Sequence, residues 1–157
     1  MTEPLPDLLI EPVVRAALAE DLGRAGDVTA MACIDADARL SVAFVARKPG
    51  VAAGLACARL ALVALDPDAE FETVIADGAP LAAGSVLARA QGNARAILSA
   101  ERTGLNLLGR LCGVATLTRA YVDAVEGTGA RRTASATPPQ AAMWLSLIRM
   151  ASSRPNR

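Results

Sequence analysis

The stretch from Asn93 to Asp123 constrains this chain most, because its apolar residues recur with the period of an α-helix. Leu98, Leu105, Leu108 and Cys112 follow one another at spacings of seven, three and four, which predicts one shared helical face. Gly113 divides the run into two predicted helices. The second has Val114, Leu117, Tyr121, Val122 and Val125 on its apolar face and is ended by Gly127-Thr128-Gly129. Arg102 sits at the edge of the first apolar stripe, with Glu101 beside it and Asn106 one turn on. A guanidinium in that position can lay its stem along apolar surface while its planar fork reaches a carboxylate or phosphate. Spacing alone favours the plainer reading of a solvated or surface-paired arginine.

The rest of the chain reads as a small α+β domain. Leu8–Leu22 is a predicted helix with Leu9, Val13, Ala16 and Ala17 on its apolar face, Pro12 in its first turn and Gly23 as its stop. In the following turn, Asp27 and Thr29 predict an N-cap or Asx-turn that opens a short segment. Residues 38–47 alternate as a strand, with Leu40, Val42, Phe44 and Ala46 facing one way. After the Lys48-Pro49-Gly50 turn come a short strand near 51–53, a helix over 54–65 and a strand over 71–76. A turn at Asp77-Gly78 leads to another strand running from Val86 to about Ala90. This order predicts a small sheet covered on one face. A glycine turn before a strand is also found in biotin- and lipoyl-carrier domains, but the chain's one lysine, Lys48, lies at a proline turn and not at a hairpin tip.

Composition removes several functions. The chain has no histidine, which excludes Ser-His-Asp and Cys-His nucleophile systems and imidazole metal sites. Its apolar fraction is 53% with only 3% aromatics, so the core must be aliphatic. The formal net charge of zero argues against a broad nucleic-acid surface. Residues 1–126 carry 11 basic and 16 acidic residues, a net −5, whereas residues 127–157 have five arginines and no acid. Cys33, Cys57 and Cys112 are few and widely spaced, which predicts buried thiols in a reducing setting rather than a disulfide framework. Neither a signal peptide nor a membrane span is predicted, and the expected location is the cytoplasm.

The segments EDLGRAGDVT (20–29), ARKPGVAAGLACA (46–58), GNARAILSAERTGLNLLGRLCGVATLTRAYVDAV (92–125) and GTGAR (127–131) resemble quinolinate phosphoribosyltransferase. The pattern ERTxLNxLxxLxGxAT from Glu101 to Thr116 is the most specific of them. The resemblance implies a hammerhead-like α+β N-terminal domain followed by an α/β barrel. It divides the chain into an N-terminal helix (1–21), the N-terminal domain (22–111), the first helix of a truncated barrel domain (112–131) and an unrelated tail (132–157). It further implies a homodimer whose active sites are shared across subunits. The substrates would be quinolinate and phosphoribosyl pyrophosphate, and the products nicotinate mononucleotide, CO₂ and pyrophosphate. Mg²⁺ is expected for the full-length family enzyme, with no metal ligand and no catalytic residue among the residues present here.

On this mapping Arg102 binds a carboxylate of quinolinate across the dimer, Glu101 and Asn106 support its helix, and Gly26–Thr29 is a signature of the fold rather than a ligand site. After Arg131 the family continues into an Asp-Thr-Arg-Lys-Thr segment and most of a barrel, whereas this chain reads Arg132-Thr133-Ala134-Ser135 and ends at Arg157. That departure suggests the hypothesis of a frameshift or truncation near Arg131, and with one binding arginine and no phosphate site this chain alone is expected to be inactive. A non-catalytic fragment or pseudogene product and a molybdenum-transport-associated paralogue are the alternatives. The tail reads as a poorly ordered stretch with one apolar segment, Ala141–Met150, around Trp144.

Overall fold

A computed structural model of the chain describes residues 5–128. Arg131, the 132–157 tail and its Ala141–Met150 segment lie outside the described residues. The chain divides into two compact units, Met1–Tyr121 and Val122–Arg157. In the second, the described residues are the last turn of a helix and a turn in which Thr128 Oγ1 donates to the Val125 carbonyl at 2.8 Å.

The first unit is an α+β fold in the order α1 (Asp7–Leu22), α2 (Val28–Cys33), β1 (Arg39–Val45), β2 (Gly50–Val51), α3 (Leu55–Val63), β3 (Glu70–Thr73), β4 (Pro80–Leu81) and β5 (Val86–Asn93), with α4 (Ala94–Ala124) running on to the second unit's first residues. Strands β1, β5 and β3 form an antiparallel sheet with β5 at its centre, and β2 pairs with β4 in a second, two-stranded one. The alternation expected of residues 39–45 is present: Leu40, Val42 and Phe44 are half-buried and their neighbours exposed. On the open face Ser41 donates to Gln91 at 3.2 Å, and Arg89 lies 3.7 Å from Glu72. On the covered face small residues in the central strand face large ones on its flanks. Ala88 and Ala90 stand opposite Phe44 and Phe71, and the space they leave lets the two rings meet at 5.6 Å. Ala52, Leu55, Leu81, Leu87, Ala88 and Leu108 complete an aliphatic core.

Several local expectations are corrected. Strand β5 runs to Asn93, three residues past the predicted end, because Arg39–Leu40 and Glu70 continue to pair with it. The short strand β4 went unread because two residues carry no period. Pro12 lies in the second turn of α1, beyond the first-turn position that costs no hydrogen bond. The buried face of α1 is Ile10, Val14 and Leu18, whereas Leu9 is 59% exposed, so the true stripe is one residue out of phase with the predicted one. Cys33 is exposed, so the expectation of buried thiols holds for Cys57 and in part for Cys112. Gly113 breaks nothing, and α4 is one helix of 31 residues. A single exposed glycine lowers helix stability by only about 1 kcal/mol, too little to end a helix packed over most of its length.

Candidate functional site

Helix α4 organises the site, and its two faces are built differently. Asn93 sets its start: the side-chain oxygen accepts from Ala96 N at 3.2 Å, and the side-chain nitrogen donates to the Ala36 carbonyl at 2.6 Å. The first turns then approach the domain through small residues, since Ala94, Ala96, Ala100 and Gly104 are all buried. A Cβ on Gly104 would stand 3.6 Å from Ala58 Cα, so α3 and α4 meet nearly backbone to backbone.

Side chains one turn apart tie this half of α4 to the α1–α2 corner. Arg95 donates to the Ile34 carbonyl at 2.8 Å and to the Met31 carbonyl at 3.2 Å. Ser99 Oγ donates to Asp27 Oδ2 at 3.3 Å, while Asp27 Oδ1 caps α2 by accepting from Ala30 N at 2.9 Å. Thr103, only 1% exposed, donates to Asp21 Oδ2 at 2.5 Å. The Gly26–Thr29 turn is therefore a cap and a tie to α4.

Farther along α4, the segment from Gly50 to Leu55 lies against the helix with its donors met by side chains. Val51 N donates to Thr116 Oγ1 at 2.9 Å, Ala53 N to Cys112 Sγ at 3.3 Å, and Gly54 N and Leu55 N to the two oxygens of Asp77 at 2.9 and 3.3 Å. The approach leaves no room for side chains. A Cβ on Gly50 would fall 2.6 Å from Thr116 Oγ1, and one on Gly54, whose φ is +93°, 2.4 Å from Leu111. Burial, and to a lesser degree the nearby Asp77 carboxylate, pushes the Cys57 thiol up to about 12. Burial also raises that of Cys112, against the opposing effect of the Ala53 N–H bond. Both stay protonated at neutral pH and are poor nucleophiles.

The other face of α4 carries Arg102, Glu101 and Asn106, all exposed. Arg102 forms no ion pair or hydrogen bond with any described residue. The inward stripe is Ile97, Ala100, Thr103, Leu107 and Leu111, so the predicted grouping of Leu98 and Leu105 with Leu108 is corrected. Leu98 and Leu105 are 37% and 44% exposed and, with Glu101, Ile97, Phe44 and Leu62, line a groove of about 210 Å³ beside edge strand β1. Among the described residues the ties from this half of α4 to the domain are made by Arg95, Ser99 and Thr103, while Glu101 and Asn106 face outward. Sequence reasoning missed that set. The readable signal was Asp21, a carboxylate in the last turn of α1 where the helix dipole disfavours it. Among the described residues no group of three or more His, Cys, Asp or Glu side chains is placed to hold a metal, and no helix is long and apolar enough to cross a membrane.

The sequence profile of the family described as "Quinolinate phosphoribosyl transferase, N-terminal domain" matches residues 27–112. The chain is 39% identical over 119 residues to quinolinate phosphoribosyltransferase (decarboxylating) 1b of Nicotiana tabacum, which covers 76% of this chain and 34% of that protein. A probable nicotinate-nucleotide pyrophosphorylase (carboxylating) of Synechocystis is 38% identical over 120 residues, 40% of its length. The chain thus spans about a third of the length of the curated relatives it matches. Among solved structures, NadC from Streptococcus pyogenes superposes with a TM-score of 0.79 at 28% identity, covering 99% of this chain and 56% of that one. The nicotinate-nucleotide pyrophosphorylase of Francisella tularensis gives 0.72 at 29% identity, over 79% and 44% of the two chains.

Proposed function

Because the chain belongs to the quinolinate phosphoribosyltransferase family, we propose that it serves the transfer of phosphoribosyl from phosphoribosyl pyrophosphate to quinolinate, with decarboxylation to nicotinate mononucleotide. In this reading Arg102 holds a carboxylate of quinolinate. The observation that carries it is the placement of Arg102. It is an exposed guanidinium without a partner among the described residues, on a long helix and one residue from the buried Thr103. A guanidinium pairs with a carboxylate through two parallel hydrogen bonds, so a fixed helix would fix the orientation of the substrate ring. The reaction then depends on orientation and charge: the pyridine nitrogen must face the anomeric carbon of the ribose while the leaving pyrophosphate is neutralised.

In this reading the described residues contribute one substrate contact, Arg102. The phosphoribosyl site is therefore assigned to residues outside them, and Arg102 is proposed to reach it across a homodimer. Glu101, beside Arg102, and Asn106, one turn on, are proposed to support the helix that orients it.

A complementation assay tests this. The chain is combined with a Synechocystis relative shortened by its matching N-terminal part, and nicotinate mononucleotide is measured from quinolinate and phosphoribosyl pyrophosphate. Turnover is expected with the native chain. Arg102→Ala should lower it about 100-fold, the size of effect seen when one partner of a desolvated charge pair is removed. Full turnover with Arg102→Ala, or none with the native chain, would count against the proposal.

A further inference from the structure

We infer that Thr103 and Asp21 are positioning residues for Arg102, a role that rests on the reading of Arg102 as the quinolinate contact. An arginine can orient a substrate only if the helix carrying it holds one angle about its own axis. Over the first turns of α4 the apolar contact sets that angle only in part: Ala94, Ala96, Ala100 and Gly104 are small, and Ile97 is the one large apolar side chain buried among them. Small residues give such a surface little relief, so directional ties along it carry more of the orientation, those of Arg95 and Ser99 included. Hydrogen bonds have direction, and the Thr103–Asp21 bond at 2.5 Å is the one adjacent in sequence to Arg102. Thr103 is 1% exposed, so its hydroxyl has no water to turn to if the helix rotates away.

Asp21 gives independent support. It stands in the last turn of α1, which has no basic residue, and there a carboxylate opposes the helix dipole. A local rule broken in this way calls for a compensating role elsewhere, and the bond to Thr103 supplies one. Leverage makes the angle matter. The guanidinium lies far outside the helix axis, so a turn of about 10–20° is enough to misplace it.

Residual dipolar couplings of the ¹⁵N-labelled chain read this angle directly, since the couplings along a helix oscillate with a phase set by its rotation. The native chain, Thr103→Val, Thr103→Ser and Asp21→Ala are compared, with thermal unfolding of each alongside. Thr103→Val and Asp21→Ala are expected to shift the phase of α4 relative to the sheet by about 10° or more, or to flatten the oscillation, and Thr103→Ser to restore it. Asp21→Ala also relieves the dipole conflict in α1, so a changed phase without lost stability separates positioning from simple support. The inference is overturned if both variants keep the native phase, whether or not their melting temperatures fall. Should Thr103→Val not fold, Asp21→Ala decides alone. Titrating quinolinate against the Arg102 Nε–Hε signal of the ¹⁵N-labelled chain combined with the shortened Synechocystis relative tests the substrate reading separately: an unmoved signal would sink that reading and leave the phase measurement intact.

Discussion

The two faces of α4 follow different rules. On the inward face each polar group has an identified use: Thr103 bonds Asp21, Ser99 bonds Asp27, Cys112 receives Ala53 N–H, and Thr116 receives Val51 N–H. The glycines on or against that face are also explained, since Gly50 and Gly54 stand where a Cβ would strike the helix. On the outward face Arg102, Glu101 and Asn106 bond nothing described, and a Cβ on Gly109 or Gly113 would meet no atom within 4 Å. Glycine inside a helix lowers stability, so two of them without a steric reason are unexplained by this domain. The inward residues are accounted for by folding. The outward ones have no such account among the described residues.

The strongest break of this contrast is at Gly54. Alanine there must adopt a φ of +93° and place its methyl 2.4 Å from Leu111 Cδ1. Backbone strain and overpacking together should cost roughly 3–5 kcal/mol in urea unfolding. A loss below about 1 kcal/mol would show that the close approach of this segment to α4 is not needed.

A smaller effect is expected at Cys57, buried in α3 behind the same contact. Its thiol is raised from 9.0 to about 12, so the folded state keeps its proton where the unfolded chain releases it. Stability from this group is complete below pH 9 and declines as pH rises toward 12. By about pH 10.5 the loss should be about 2 kcal/mol. Comparison with Cys57→Ala isolates it from the titration of lysine and tyrosine. Parallel pH–stability curves for the two proteins would mean that the thiol is not buried in solution.

The same contrast explains what was legible in the sequence. The strand alternation at 39–45, the Asp27 cap and the aliphatic core were readable because period, cap chemistry and composition act locally. The face of α4 is not legible from its leucines, because Leu107, Leu108 and Leu111 are buried while Leu98 and Leu105 are not. Here alanine, glycine and threonine are buried, where close helix approach demands small residues, and Leu98 and Leu105 line an open groove instead. The ties from Asp21 to Thr103 and from Asp77 to Gly54 join residues distant in sequence, and no local pattern announces such pairs. Arg102 is legible only through motif resemblance; the fold adds its exposure and its lack of a partner among the described residues.

The smallest expected effect is the sharpest test of the outward face. Gly109→Ala removes the entropic cost of a helical glycine, and the added methyl meets nothing within 4 Å. The isolated chain should therefore gain about 1 kcal/mol in urea unfolding. If α4 is covered by another subunit in the assembled enzyme, the same methyl should weaken assembly with the shortened Synechocystis relative while stabilising the chain by itself. Opposite signs in the two measurements would place the reason for this glycine on the partner's side of the helix. A gain in both would leave the outward face uncovered at Gly109 and confine any docking to the Arg102 end.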